Sequence, residues 1–320
     1  MTIVRLGYVA MSVHLKNCSP SQTMTYRQFS SIKDREAAIL KLERIAISNL
    51  QNCLRLLKHN VANSIHFFRF SSKLIPLANH EELRDWRYMR PLKEALREIG
   101  DYLKEHPMRV DFHPDHFVLL NTPNVDTLNM SVKTLAMHEA LLKGMSVNTE
   151  HRCVLHVGGA YEDKEKAMEL FIENWGVIPH KLQKMVILEN DDTSFTLEDT
   201  LYLCEKLGIP LVFDYHHHLA NFQNDRWLES WERVVNTWAH SPLPIKMHIS
   251  SPRSDKEYRA HADLIDPIMF LGFLNEIKGT VPEIHCMIEA KQKDEALFQL
   301  GDDLEAAGLE RIDQGSFRMK

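Results

Sequence analysis

The chain has 320 residues, 44% hydrophobic and 26% charged; this is ordinary globular usage and excludes a disordered, collagen-like or coiled-coil fibrous protein. Its 38 Lys and Arg against 44 Asp and Glu leave a formal net charge of −6, which argues against a protein held to nucleic acid by its whole surface while leaving room for a local basic patch. Histidine is in surplus, with 18 residues against only 12 glycines, and the surplus needs a chemical explanation.

Short β-rich runs alternate with longer helical stretches along the chain. The pattern predicts a strand over Val4–Met11 and then a helix from Asp34 to Lys58. Ile39, Leu42, Ala46, Leu50, Cys53 and Leu57 recur there at intervals of three and four, behind an acidic cap. Strand Ile65–Ser71 leads to helix Arg84–Glu105, Arg109–His113 to Val132–Lys143, Cys153–Gly158 to Lys164–Trp175, and Met185–Asn190 to Leu197–Leu207. Pro210–His216 leads to Trp227–Ala239, Ile245–Ser250 to Pro267–Ile277, and Ile284–Ala290 to Glu295–Ala306. Strand then helix, eight times, is the arithmetic of a (β/α)8 TIM barrel of the α/β class. Residues 1–320 are expected to form this single domain, with 307–320 as a peripheral tail. An open doubly wound sheet is the alternative, but Ala10–Gln22 after the first strand contains no glycine for a phosphate-binding turn.

No apolar run approaches the roughly 20 residues that span a bilayer, and no secretory signal is evident. The five cysteines are scattered without a C-x-x-C pair, so neither a disulfide framework nor a thiolate zinc site is expected. A cytoplasmic protein with no membrane contact and no obligate protein partner follows.

Six consecutive strands end in histidine or carboxylate: Asp111 and His113, His156, Glu189, Asp214 with His216-His217-His218, His248, and Glu289. In a barrel these strand ends converge on one mouth, where catalytic and metal-ligating groups gather. Any one of them is readily explained as a hydrogen-bonded core histidine or a helix cap. Together they would pack several carboxylates with imidazoles, a costly burial unless a metal is bound. Imidazole and carboxylate without thiolate suit zinc, manganese or iron, and the donors outnumber the needs of one ion, so two or three divalent metals are expected. Glu189, midway along the run, is the candidate bridge. Two metals roughly 3.5–4 Å apart can activate water and stabilise the leaving oxygen of a phosphodiester.

The stretches Phe68-Arg69-Phe70-Ser71-Ser72-Lys73-Leu74-Ile75-Pro76, His113-Pro114-Asp115-His116-Phe117, Leu155-His156-Val157-Gly158-Gly159-Ala160-Tyr161, Leu188-Glu189-Asn190-Asp191 and Met287-Ile288-Glu289-Ala290-Lys291 resemble the UV damage endonuclease family. The resemblance implies a TIM barrel related to endonuclease IV that nicks DNA immediately 5′ to ultraviolet photoproducts and initiates excision repair. It also implies a three-metal site preferring manganese, with zinc or cobalt as alternatives. Carried over, His113 and His156 share one metal with Glu189; Glu189 also reaches a second held by Asp214, His248 and Glu289; His217 and His261 hold the third. Spacing from Asp214 favours His217 as the ligand, whereas strand alternation favours His216. Lys246, on the strand face of His248, corresponds to a position where the family carries a carboxylated lysine; it is assigned with Glu189 to catalysis, the competing reading being a lysine paired with a carboxylate beneath the metals. His116 and Phe117 stand where the family often has a Gln-aromatic pair that probes the strand opposite the lesion. Tyr8 and Arg69 are candidates to line the lesion pocket or meet phosphate.

The expected partner is therefore ultraviolet-damaged double-stranded DNA. Two other readings stay open: a metal-dependent sugar isomerase or epimerase on the same barrel, and a damaged-DNA-binding module without catalysis.

Overall fold

The computed structural model describes residues 1–222 and 226–319. Strand β1 (Thr2–Val9) is followed by the short helix α1 (Tyr26–Ser30), α2 (Arg35–Ala62), β2 (Phe67–Arg69), α3 (Met89–Glu105), β3 (Arg109–Asp111), α4 (Val125–Gly144) and β4 (Cys153–His156). The second half contains α5 (Lys164–Val177), α6 (His180–Gln183), β5 (Val186–Glu189), α7 (Leu197–Leu207), β6 (Leu211–Asp214), α8 (Tyr215–Ala220) and α9 (Trp227–Thr237). β7 (Ile245–Ile249), α10 (Pro267–Ile277), β8 (Glu283–Ile288), α11 (Lys293–Ala306), β9 (Glu310–Asp313) and β10 (Ser316–Met319) complete the chain.

The first eight strands run parallel in the order β3-β2-β1-β8-β7-β6-β5-β4. A parallel bridge between Phe112 and Cys153 joins the two ends, with Phe112 N–H donating to the Arg152 carbonyl at 2.8 Å and Val154 N–H to the Phe112 carbonyl at 2.9 Å. This is a (β/α)8 TIM barrel. β5, β6 and β7 are buried at every position, as strands covered on both faces must be.

Local chemistry sets the element ends. Asp34 caps α2 by accepting from the N–H groups of Glu36 and Ala37, and Leu42, Ala46, Leu50, Cys53 and Leu57 form its buried stripe. α3 begins at Met89, not Arg84. Pro91 fits the first turn of a helix but disfavours a longer helical run ahead of it, and a 3-10 turn over Glu81–Leu83 precedes it. α4 starts seven residues ahead of the expected Val132, because Asn124 accepts from Thr127 N–H and opens the helix at Val125.

The C-terminal tail is not peripheral. β9 and β10 form an antiparallel hairpin, and β10 pairs antiparallel with β1 from Thr2↔Met319 to Arg5↔Ser316. Phe317 is fully buried, so the hairpin is an extra piece of sheet at the amino-terminal end of the barrel.

The barrel interior carries charge as well as apolar side chains. Lys246 and Asp111 are both fully buried and paired at 2.8 Å, and the Arg109 guanidinium lies 5.1 Å from the Phe67 ring centroid and 5.5 Å from that of Trp238.

Candidate metal centre at the carboxyl mouth

β5 ends on Glu189, which is wholly buried. Its Oε2 faces His113 Nε2 at 2.9 Å, from the residues just past β3, and His156 Nε2 at 3.3 Å, from the end of β4. Its Oε1 faces His248 Nδ1 at 2.8 Å, from β7, and His217 Nδ1 at 3.4 Å, from α8. Four imidazoles from four segments thus surround one carboxylate. Burial alone would raise the Glu189 carboxyl, but the charge partners His248 and His156 and the hydrogen bond from His113 outweigh it and hold Glu189 well below the usual range.

Asp214 ends β6 and caps α8: one carboxylate oxygen accepts the His217 N–H at 2.7 Å. Burial, with Glu189 and Glu289 adding negative charge nearby, raises its pKa to about 7 against the opposing pull of His217. His217 is raised well above the ordinary imidazole value, because Asp214 and Glu189 together overcome the cost of its burial. His248 falls to about 4, burial outweighing its carboxylate neighbours. Glu289, one residue beyond β8, pairs with Arg69 and lies 3.1 Å from His248 Nδ1; Arg69, then His248, hold its carboxyl far down despite burial.

The arrangement suits cations. Among the described residues, Asp214 Oδ2, His156 Nε2 and His248 Nε2 are buried without hydrogen-bond partners, a costly arrangement for buried polar atoms. Two sets of potential ligand atoms, from His113, Glu189 and His248 and from His156, Glu189 and His217, each lie within 4.8 Å of one another. Glu189 belongs to both. The donors are imidazole and carboxylate only, the set that suits zinc or manganese.

The other candidate residues fall into distinct places. His216 points away from Glu189, with Nδ1 on Ser250 Oγ at 2.6 Å and Nε2 on the Tyr258 carbonyl at 2.7 Å. His261 sits in the loop after β7, its Nδ1 on the Glu289 carbonyl at 2.7 Å and its ring 6.3 Å from that of His217. Lys246 lies beneath this cluster and pairs with Asp111; burial lowers its pKa to about 8, with Asp111 opposing. His116 and Phe117 are exposed, Phe117 by 74%, with ring centroids 4.1 Å apart. His116 lines a mouth cavity of about 520 Å³ to which His113, His156 and Tyr161 also contribute. One candidate is corrected. Tyr8 is fully buried, packed on Phe68 and donating its hydroxyl to Asn60 Oδ1 at 2.6 Å, so it presents no surface to a ligand. Arg69 reaches the mouth and pairs there with Glu289.

Sequence reading missed Asn190. Its side chain donates to the Asp214 carbonyl and accepts from the Asp214 N–H, both at 2.9 Å, while its own carbonyl faces His217 Nδ1 at 3.0 Å. It ties the ends of β5 and β6 together and orients two of the cluster's groups. A buried amide directly after the strand-end glutamate was the available signal.

A parallel eight-stranded barrel with a buried carboxylate ringed by imidazoles at its carboxyl mouth has a fold relative in endonuclease IV from Thermus thermophilus. The two align over 94% of this chain and 99% of that one at a TM-score of 0.57, and at 14% identity the likeness is one of fold. The chain belongs to the UV-endonuclease UvdE family, whose sequence profile matches residues 4–318. It is 52% identical over 302 residues to the UV DNA damage endonuclease of Halalkalibacterium halodurans, covering 94% of each chain. It also superposes on the crystal structure of SacUVDE at a TM-score of 0.82 and 30% identity, over 95% of this chain and 99% of that one.

Proposed function

We propose that this protein is a metal-dependent endonuclease that nicks ultraviolet-damaged double-stranded DNA immediately 5′ to the photoproduct and so starts excision repair. The observation that carries this reading is Glu189, whose two oxygens are each shared between two imidazoles at the mouth of a barrel of this family. Glu189 is the bridging ligand, with His113, His156, His217 and His248 as its neighbours and Asp214, Glu289 and His261 completing a set for two or three divalent ions, manganese preferred. When bound, such ions act as Lewis acids that activate water and stabilise charge on the departing 3′ oxygen.

The chain's own groups supply the positioning. Asn190 holds Asp214 and His217 in place, and Lys246 with Asp111 forms a neutral pair below the centre, supporting β7 under His248. The exposed His116–Phe117 pair offers flat faces for bases to stack on. A damaged pair, having already lost stacking and pairing, is the easiest to extrude toward the mouth cavity. Arg69 neutralises Glu289, and cation loading of that carboxylate would free the guanidinium for a phosphate oxygen.

The test is incubation of irradiated and untreated supercoiled plasmid with the full chain, with manganese or with a chelator, followed by mapping of the cut on a duplex carrying one photoproduct. Cutting that requires both irradiation and metal, on the 5′ side, is expected. Binding without cutting would leave a recognition module, and indifference to DNA would reopen the sugar-enzyme reading. Glu189→Gln is expected to retain a cooperative fold and lose at least about a thousandfold in nicking rate, the scale of a group on which the whole centre depends; near-parental activity would overturn the bridging role.

A further inference from the structure

The barrel's other end carries a second site. A cavity of about 860 Å³ opens at the amino-terminal ends of the strands, and Arg5, Lys104, Arg109 and Arg152 contribute its cationic lining against the carboxylates Asp101 and Glu283. Glu283 is already engaged: its Oε1 accepts from Arg5 Nε at 2.8 Å and faces His285 Nε2 at 2.7 Å. Burial lowers His285 to about 4, so the ring is neutral and adds no charge. Two positive charges are therefore left over.

Arg109 is the telling residue. It opens β3 and is 6% exposed. Its Nη1 donates to the Pro244 carbonyl at 2.8 Å and meets His285 Nδ1 at 3.2 Å, both neutral partners. Its Nε and Nη2 are buried with no hydrogen-bond partner among the described residues, and so is Nε of Arg152. A guanidinium buried this way is costly unless an anion completes it. Asp111, the buried carboxylate two residues along β3, gives its Oδ2 to Lys246 and makes no hydrogen bond to Arg109 among the described residues. Apolar walls from Met108, Met145 and Leu243 adjoin the charged groups, the mixture of a few placed polar groups and apolar lining that small-ligand sites share.

We propose that this cavity binds a phosphate-class oxyanion, most simply the phosphoryl group of a small phosphomonoester, whose charge near −2 matches the two uncompensated cations. A duplex backbone is too wide to bring phosphate to a guanidinium as deep as Arg109, which favours a small soluble ligand. The site is separate from the mouth, since its residues begin the strands that the Glu189 cluster ends, and it does not depend on the activity assigned there.

The probe is inorganic phosphate, titrated calorimetrically into the full chain at constant ionic strength. Saturable binding is expected. Arg152→Met should weaken it at least tenfold. Lys104→Glu, an exposed charge reversal that leaves the core untouched, should weaken it several-fold while the thermal transition stays put. Glu189→Gln, which alters the mouth, should bind phosphate as the parent does. Absence of saturable binding up to tens of millimolar would overturn the proposal. So would binding that survives both Arg152→Met and Lys104→Glu, or binding that disappears in Glu189→Gln, which would locate the phosphate at the mouth.

Discussion

One carboxylate oxygen of Asp214 accepts the His217 N–H while the other is buried without a hydrogen-bond partner among the described residues. That division explains why the choice among three adjacent imidazoles cannot be made by strand alternation. Asp214 ends the strand and starts a helix, so His217 stands at the third helical position and turns back over its own cap, while His216 turns to Ser250. Tyr8 illustrates the reverse case. A strand-end tyrosine reads as a ligand-facing group, yet neighbouring packing takes its ring inside and its hydroxyl to Asn60. Tyr8→Phe is expected to lower stability by about 1–2 kcal/mol, by leaving Asn60 Oδ1 short of its donor in the core; chemical denaturation measures this. His138 is buried with Nδ1 on the Thr134 carbonyl, and burial drops its pKa to about 4. Because its folded value lies below the unfolded 6.5, the unfolded chain takes up the proton first. Stability is therefore whole above about pH 6.5 and falls by about 3 kcal/mol as pH drops toward 4. His138→Leu should flatten that part of the stability profile by one proton's slope, and an unchanged slope would count against His138 as its source.

At the scale of elements, the strands are short and their ends carry the chemistry. β2 and β3 have only three residues each, the barrel closes between β3 and β4 through the Phe112–Cys153 bridge, and His113 lies just past its strand's end. The apolar runs and capping residues made the eightfold alternation legible, since both are local signals. The terminal hairpin was not legible, because β9 and β10 gain their meaning only from pairing with β1, the far end of the sequence. Phe317→Ala should cost about 3–5 kcal/mol in unfolding free energy, the usual loss for a large buried ring. A truly peripheral tail would lose almost nothing in the same equilibrium measurement.

For the whole molecule, the −6 of the sequence is unevenly spent. Glu189, Asp214 and Glu289 concentrate acid at the mouth, while the opposite end holds excess arginine. Cations at the mouth would offset the former and stabilise the fold by linkage. At a hundredfold excess of manganese over its dissociation constant the gain is about 2.7 kcal/mol, or roughly 4 °C in melting temperature for a chain of this size. A thermal scan with chelator and with added manganese reads this directly, and coincident transitions would count against a metal centre in the folded protein. What the sequence by itself determined was the barrel, the mouth and the residue types in it, because hydrophobic period and strand-end histidines and carboxylates are local features that any eightfold alternation brings to one face. Only the tertiary structure decided which groups meet: that Glu189 is shared by four imidazoles, that Arg69 is taken by Glu289, that Tyr8 is buried, and that Arg109 and Arg152 stand with open N–H groups at the other end. Those pairings depend on side-chain reach across strands distant in the chain, and a sequence records each partner without recording the distance between them.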